Sequence, residues 1–386
     1  METQSQADSV SVEAASLKLM SVGAESFAAV STISGVVRSK RVRNKLVRRL
    51  ERDYSQILRR TFQIKFLLLN LWIGGAFYFW ARSIEMGRHV MVSRPAGVDG
   101  WLPIAGLMNL KYWIASGQLP RIHPAAMFLL ITFLAMAFLF RKAFCSWLCP
   151  VGTLSEYLWR LGRFLLGRNF TLPRPVDLCL RSLKYLLLAF FAWAVVSMTA
   201  DSVELFMLSP YGAIADVRML NFFRYLSETA AVVLGILVLA SFVVKNFWCR
   251  YLCPYGALLG LTSLLSPLRI RRAESACIDC AKCTKACPSS LPVDKLVTIK
   301  SAECTGCLEC VAVCPAEGAL DLSFPKWTRQ PKRNRVPAWA MAVGIAALFL
   351  GIVGVAKVSG HWNGDVPDYV YRQLVPHAAE ITHPGE

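Results

Sequence analysis

The chain has 386 residues, 55% of them hydrophobic, with mean hydropathy +0.43 and a formal net charge of +18. Such an apolar composition excludes an ordinary soluble protein, because the excess is gathered in blocks of the length that crosses a bilayer. The charge does not point to nucleic acid. It is clustered beside those blocks, with ten Lys/Arg in 38–60, eight in 141–184 and five in 326–335.

In chain order, 1–61 reads as a polar arm followed by a basic cytoplasmic segment. Residues 1–37 are Ser/Ala-rich and lack a signal-peptide pattern, which predicts a mobile arm. Residues 62–272 read as a membrane domain. Five spans are predicted, at 62–81, 124–140, 183–200, 229–247 and 337–356. Basic flanks mark the cytoplasmic side. They place the N-terminus, 141–182 and 248–336 inside, and 82–123, 201–228 and the tail outside. The outer segment 201–228 has Asp201, Glu204, Asp216 and Glu228 against Arg218 and Arg224. An anionic lipid surface is the expected partner of the basic clusters.

Two segments repeat. FCSWLCPVGTL at 144–154 matches WCRYLCPYGAL at 248–258, both C-x-x-x-C-P-x-G-x-L, each just after an apolar block. The external segments 97–113 and 205–220 read as short interfacial or re-entrant helices. The membrane part is therefore expected to be two tandem span–dip–span–CxxxCP units. Helical i, i+4 spacing would put each cysteine pair on one face, with the Pro and Gly ending the helix. Cys145, Cys149, Cys249 and Cys253 could then supply four sulfurs to a third cluster, to copper or zinc, or to a dithiol relay. Small buried residues at helix ends are the plain alternative. Cys179 stands alone and is expected to be an ordinary buried thiol.

The most specific signal is at 273–325. Cys277-x2-Cys280-x2-Cys283-x3-Cys287-Pro288 is followed by Cys304-x2-Cys307-x2-Cys310-x3-Cys314-Pro315. This is the spacing of a bacterial two-cluster ferredoxin, in which the fourth cysteine of each run crosses to the other cluster. It assigns Cys277, Cys280, Cys283 and Cys314 to one 4Fe–4S cluster and Cys304, Cys307, Cys310 and Cys287 to the other. Zinc would not require four cysteines per run with a proline after the fourth. Disulfides are disfavoured on the reducing side of a membrane. Ile278, Val311, Leu320 and Leu322 are the expected shield against water. A basic linker and fifth span (326–358) and an external tail (359–386) complete a mostly α membrane protein with a small cytoplasmic α+β ferredoxin domain.

Two CxxxCP membrane repeats together with a double CxxCxxCxxxCP run resemble the polytopic membrane ferredoxins: the NapH type, the C-terminal part of the NosR type, and the CcoG type. RPAGVDGWLPIAGLMNLKYW at 94–113 and FCSWLCPVGTLSE at 144–156 are most similar to the NapH type. The resemblance covers roughly 60–325 and implies a multi-pass protein of the bacterial inner membrane. There it would be an electron-transfer subunit rather than a stand-alone enzyme, passing electrons between quinol and a partner reductase. The fifth span and the tail depart from the NapH type, and the tail's aromatic and Pro content reads as a docking segment. The NosR flavin-binding domain and the CcoG extension have no counterpart.

No histidine among His89, His123, His361, His377 and His383 lies mid-span, which disfavours a membrane cytochrome b. No nucleotide-binding glycine motif occurs. Glu204, Asp216, Lys111 and His123 could line a quinol pocket, or could be surface charges at loop ends. Three readings remain open. They are electron transfer between the quinone pool or a cytosolic donor and a reductase, copper reduction or metallocentre assembly through the CxxxCP pairs, and redox sensing by the clusters.

Overall fold

A computed structural model describes residues 53–88, 92–324 and 335–384. The predicted arm 1–37 and most of both the N-terminal and the 326–335 basic clusters lie outside these. The first helix, α1 (Ser55–Glu85), contains the 62–81 block and begins seven residues earlier. A 3₁₀ turn at Ala96–Trp101 leads into α2 (Pro103–Ser116), and α3 follows at Pro124–Phe140. The first CxxxCP segment forms α4 (Ala143–Trp147) and α5 (Pro150–Leu166). Next come α6 (Arg174–Ser197), α7 (Ala200–Leu208), α8 (Pro210–Ala213), α9 (Ala215–Arg224) and α10 (Glu228–Val243). The second CxxxCP segment is a π turn, Trp248–Leu252, followed by α11 (Pro254–Leu264). Strand β1 (Arg269–Arg272), the short helices α12 (Lys282–Ala286) and α13 (Glu309–Ala312), and strand β2 (Leu320–Ser323) make the cysteine-rich region. The chain ends with α14 (Ala338–Val358) and α15 (Asp368–Leu374).

Among the described residues, α1, α6 and α14 are long and apolar enough to cross a membrane. The block at 229–247 reaches that standard only with α9 and α10 taken together, and these are bent by 81°. Helix α3 has 17 residues, about 26 Å, just short of the ~30 Å hydrocarbon layer. It is apolar all round because it is central: α2, α11 and α14 pack on it, and ten of its residues are buried. The outward faces of the long helices carry exposed apolar residues, among them Leu68, Trp72, Leu186, Trp193, Leu350 and Val355, the pattern a membrane surface would cover.

Antiparallel β1 and β2 pair Arg269 with Ser323 through Arg272 with Leu320. The pairing closes the cysteine-rich region into a loop whose two ends meet. One apolar core joins this region to α3, α4, α11 and α14, so it does not stand apart from the helices. A second core forms at the other end of α1, where Tyr371, Val375 and Ala378 of the tail pack on Phe77, Trp80, Ala81 and Ile84. Arg218 donates to the carbonyls of Ala378 and Ile381. The tail, read from sequence as a docking segment, thus docks on its own chain.

Candidate redox centres

The two cysteine runs fold alike. Asp279 and Ala281 in the first, and Gly306 and Leu308 in the second, sit at equivalent positions, all with left-handed backbone (φ 53°, 54°, 63° and 59°). For a non-glycine residue this costs about 1–2 kcal/mol. It bends the chain twice within seven residues, as convergence of three sulfurs requires. Replacing Ala281 by Gly is expected to relieve about 1 kcal/mol of this, less glycine's extra chain entropy. The denaturant midpoint for loss of cluster absorbance would then rise; a clear fall would show that the methyl group packs.

Cys287, Cys304, Cys307 and Cys310 line one small cavity walled by Ile270, Leu291, Val293 and Ile299. All four are buried. Burial pushes the Cys307 thiol up to about 12, and nearby Cys287 and Cys304 add to the shift. The Leu291 N–H donates to Cys287 Sγ at 3.5 Å. Cys280 is exposed, while Cys277, Cys283 and Cys314 are half-buried. Burial raises the Cys283 thiol, with Cys314 as a contributing neighbour. Val311, Leu320 and Leu322 are buried, but Ile278 is only half-buried.

In the CxxxCP segments the geometry differs from a single helical face. Cys145 lies in α4 and Cys249 in the π turn, whereas Cys149 and Cys253 are the N-caps of α5 and α11. Pro150 and Pro254 open a new helix rather than end one, since the first helical position needs no N–H and favours proline's fixed φ. The N–H of Gly152 donates to Cys149 Sγ at 3.4 Å, and that of Gly256 to Cys253 Sγ at 3.2 Å. Gly152 is needed for close approach, because a Cβ there would stand 2.3 Å from the Cys145 carbonyl oxygen. A sulfur at a helix N-terminus is favoured as thiolate, the form that binds metal.

All four sulfur-bearing residues line one cleft of about 900 Å³, together with Lys142, Tyr255 and Glu303. Burial pushes the Cys145 thiol up to about 11; Lys142 opposes the shift and Cys253 adds to it. Burial likewise raises Cys149 to about 12, with Cys145 adding. Raised thiols favour the protonated form, so binding a cation as thiolates would release protons. Four soft donors, two of them helix caps, beside a buried lysine fit an anionic thiolate-ligated centre. Cys179, expected to be buried, is exposed on α6.

The cleft continues away from the cysteines between Phe66, Leu69, Ile73, Leu129, Phe133 and Phe349, and reaches Arg94, Trp101 and Trp362. Stacked Phe133 and Phe144, with ring centroids 3.8 Å apart, form one wall next to Cys145. None of Glu204, Asp216, Lys111 and His123 lines it. Lys111 donates to the carbonyls of Val195 and Val196. Asp216 and His123 are buried at the far end of α3. The cleft-lining residues come from distant segments, and their apolar character gave no sign in the sequence beyond that of core.

Cys307 lines both the cleft and the small cavity, as do Pro288, Ser289 and Thr305. The cysteine-rich region is fixed there by polar contacts to its backbone. Gln56 donates to the Cys307 carbonyl at 3.0 Å, Ser146 to that of Thr305 at 2.6 Å, and Trp147 to that of Gly306 at 3.2 Å. Arg59, fully buried, bridges Glu156 and Glu309 at 2.7 Å each. Lys184 pairs with Glu303 at 2.5 Å.

Sequence comparison agrees with this division. The 4Fe–4S dicluster domain family matches 269–315, and a second 4Fe–4S binding domain family matches 122–169 and 229–272, which contain the CxxxCP segments. Escherichia coli YccM, whose name assigns it to electron transport, is 47% identical over 326 residues, 84% of this chain and 91% of YccM. The chain belongs to the NapH-type family of 4Fe–4S polyferredoxins. Escherichia coli NapH, a ferredoxin-type protein, is 27% identical over 47% of this chain and 59% of its own length. Paracoccus denitrificans NirI is 30% identical over 50% of this chain and 28% of its own length. No solved structure matches. This polyferredoxin is a membrane electron-transfer protein, with iron–sulfur clusters and a redox partner.

Proposed function

We propose that this polyferredoxin carries electrons between quinol in the cleft and a redox partner at the exposed edge of the cysteine-rich region. Cys277, Cys280, Cys283 and Cys314 would hold the outermost cluster. Cys304, Cys307, Cys310 and Cys287 would hold the second, and Cys145, Cys149, Cys249 and Cys253 a third. When bound, clusters supply one-electron transfer at potentials set by their surroundings. The observation that carries the reading is Cys307, which borders both the second cysteine set and the cleft of the third. The apolar cleft, with Trp72, Leu69 and Leu350 at lipid-exposed positions, suits a quinone ring and its isoprenoid chain. The basic flanks support a bacterial inner-membrane protein with its cysteine-rich face in the cytoplasm.

The test is anaerobic purification with iron counted per chain and EPR recorded after addition of a quinol. About twelve irons and a reduced-cluster signal are expected. About eight irons with copper at the CxxxCP residues would favour metallocentre assembly instead. Full loading without reduction by quinol would remove the quinone from the proposal.

A further inference from the structure

The far end of α3 holds a buried charged cluster that the electron path does not use. His123 caps the helix with a left-handed backbone, φ 51°. Asp99 comes from the 3₁₀ turn, Asp216 from α9 and Arg94 from the segment before the turn. The side chains of Asp99 and Asp216 are fully buried and that of His123 nearly so. Arg94 binds both carboxylates, reaching Asp216 Oδ2 through Nε at 2.7 Å. Donor atoms of Asp99, His123 and Asp216 lie within 4.8 Å of one another, a spacing that would suit a divalent cation, but the Arg94 guanidinium already supplies the positive charge between them.

The imidazole is placed to work in two protonation states. Its Nε2 lies 3.1 Å from the Gly212 carbonyl, which fixes a proton on that nitrogen. Its Nδ1 lies 2.9 Å from Asp99 Oδ1, an acceptor, and 3.1 Å from Arg94 Nη2, a donor. Protonated Nδ1 donates to Asp99, and unprotonated Nδ1 accepts from Arg94, so neither state leaves it without a partner. Asp99 Oδ2 is buried and has no hydrogen-bond partner, leaving one acceptor open in the cluster. With neutral imidazole the four side chains sum to one negative charge, and one added proton cancels it. Burial disfavours the imidazolium, but Asp99 and Asp216 more than offset this and raise the His123 pKa above 6.5. Tyr371 of α15 faces the same cluster, and burial holds its hydroxyl neutral.

Arg94 also lines the cleft. Phe133 lies ten positions along α3 from its cap His123, a rise of about 15 Å. Phe133 stacks on Phe144, beside Cys145. Of the charged cluster only Arg94 borders the cleft that the cysteines line, and Asp99, His123 and Asp216 lie behind it.

We propose that Asp99 and His123, held by Arg94 and Asp216, form the proton-accepting site for quinol oxidised in that cleft. The inference rests on the quinol reading above. Oxidation of one quinol to quinone yields two electrons and two protons. The electrons go singly to the one-electron acceptors assigned to the cysteines; the Asp99–His123 pair takes one proton, releases it to water beyond the cluster, and only then takes the second. Electrons and protons then leave by opposite ends of α3. His123 acts on the proton and does not touch the quinone, so it is a relay rather than a catalytic residue.

The experiment follows cluster reduction by a short-chain quinol against pH, in the full loaded protein and in His123→Gln. The wild-type rate should rise through the His123 titration, since only the unprotonated site can accept. The variant should be about a hundredfold slower with that pH dependence gone, yet equally reducible by dithionite. Equal rates and pH profiles in the two proteins would overturn the proposal. If quinol reduces neither protein while dithionite reduces both, the cleft reading fails and the proton site is judged alone. For that, a chain with His89, His361, His377 and His383 all replaced by Gln keeps His123 as its one histidine. Its 15N NMR signal should titrate above 6.5. A signal that does not titrate between about pH 5 and 10 would overturn the site whatever the quinol result. This variant also serves should His123→Gln not fold.

Discussion

Arg59→Met is expected to destabilise the docking of the cysteine-rich region by about 3–5 kcal/mol, the cost of removing one partner from a buried charge set. Arg59 donates to Glu156 and Glu309 from a fully buried position, and Glu309 sits between Cys307 and Cys310. Without the guanidinium, two carboxylates are left in low dielectric. Arg160 contacts both and limits the loss, but it is partly exposed, so it cannot replace a buried fork. The readout is protease sensitivity near 304–310 and the rate of cluster reduction by quinol, both measured at full iron loading. Lysine should not rescue, because it cannot reach two carboxylates with parallel donors. The double change Arg59→Met with Glu156→Gln should recover part of the loss by removing one stranded charge. Unchanged protease sensitivity and rate in Arg59→Met would show that the apolar core alone holds the region in place.

Much of this was legible in the chain because its signals are local. The CxxCxxCxxxCP spacing acts within twelve residues, and the apolar blocks act within one helix. The cysteine-rich strands were short and carried no pattern, so their pairing across some fifty residues emerged only from the fold. The prolines of the CxxxCP segments were read as stops, although proline is as much at home at the start of a helix, and local sequence does not say which neighbour it serves. His123 and Asp216 read equally well as surface charges because the partners of His123, Arg94 and Asp99, lie 29 and 24 residues away and the partner of Asp216, Arg94, lies 122 away, with no periodicity to connect them. A charge beside a membrane block has the same sequence signature whether it faces solvent or a buried arginine. The packing of the tail on α1 was hidden for a related reason. Its apolar residues look alike whether they await a partner or pack on α1, as Tyr371 does against Trp80 with ring centroids 5.1 Å apart.

The sharpest test of the third centre uses the cap role of its cysteines. Cys253→Ser and Cys149→Ser should each lower iron from about twelve to about eight per chain while leaving the helices intact. Serine is among the favoured N-cap residues, and its hydroxyl can accept the same N–H, from Gly256 or Gly152, that the sulfur accepts now. Stability of the surrounding helices should thus change by less than about 1 kcal/mol, so loss of iron cannot be blamed on misfolding. Cys145 and Cys249 have no cap to preserve, and their replacement tests ligation without that control. The remaining clusters should still be reduced by dithionite, but reduction by quinol should fall below detection, because the second cysteine set meets the cleft only at Cys307. Retention of all iron in both serine variants would leave Cys149 and Cys253 as helix caps alone. Loss of iron with quinol reduction intact would mean that Cys307 alone suffices as the point where electrons enter the cysteine-rich region.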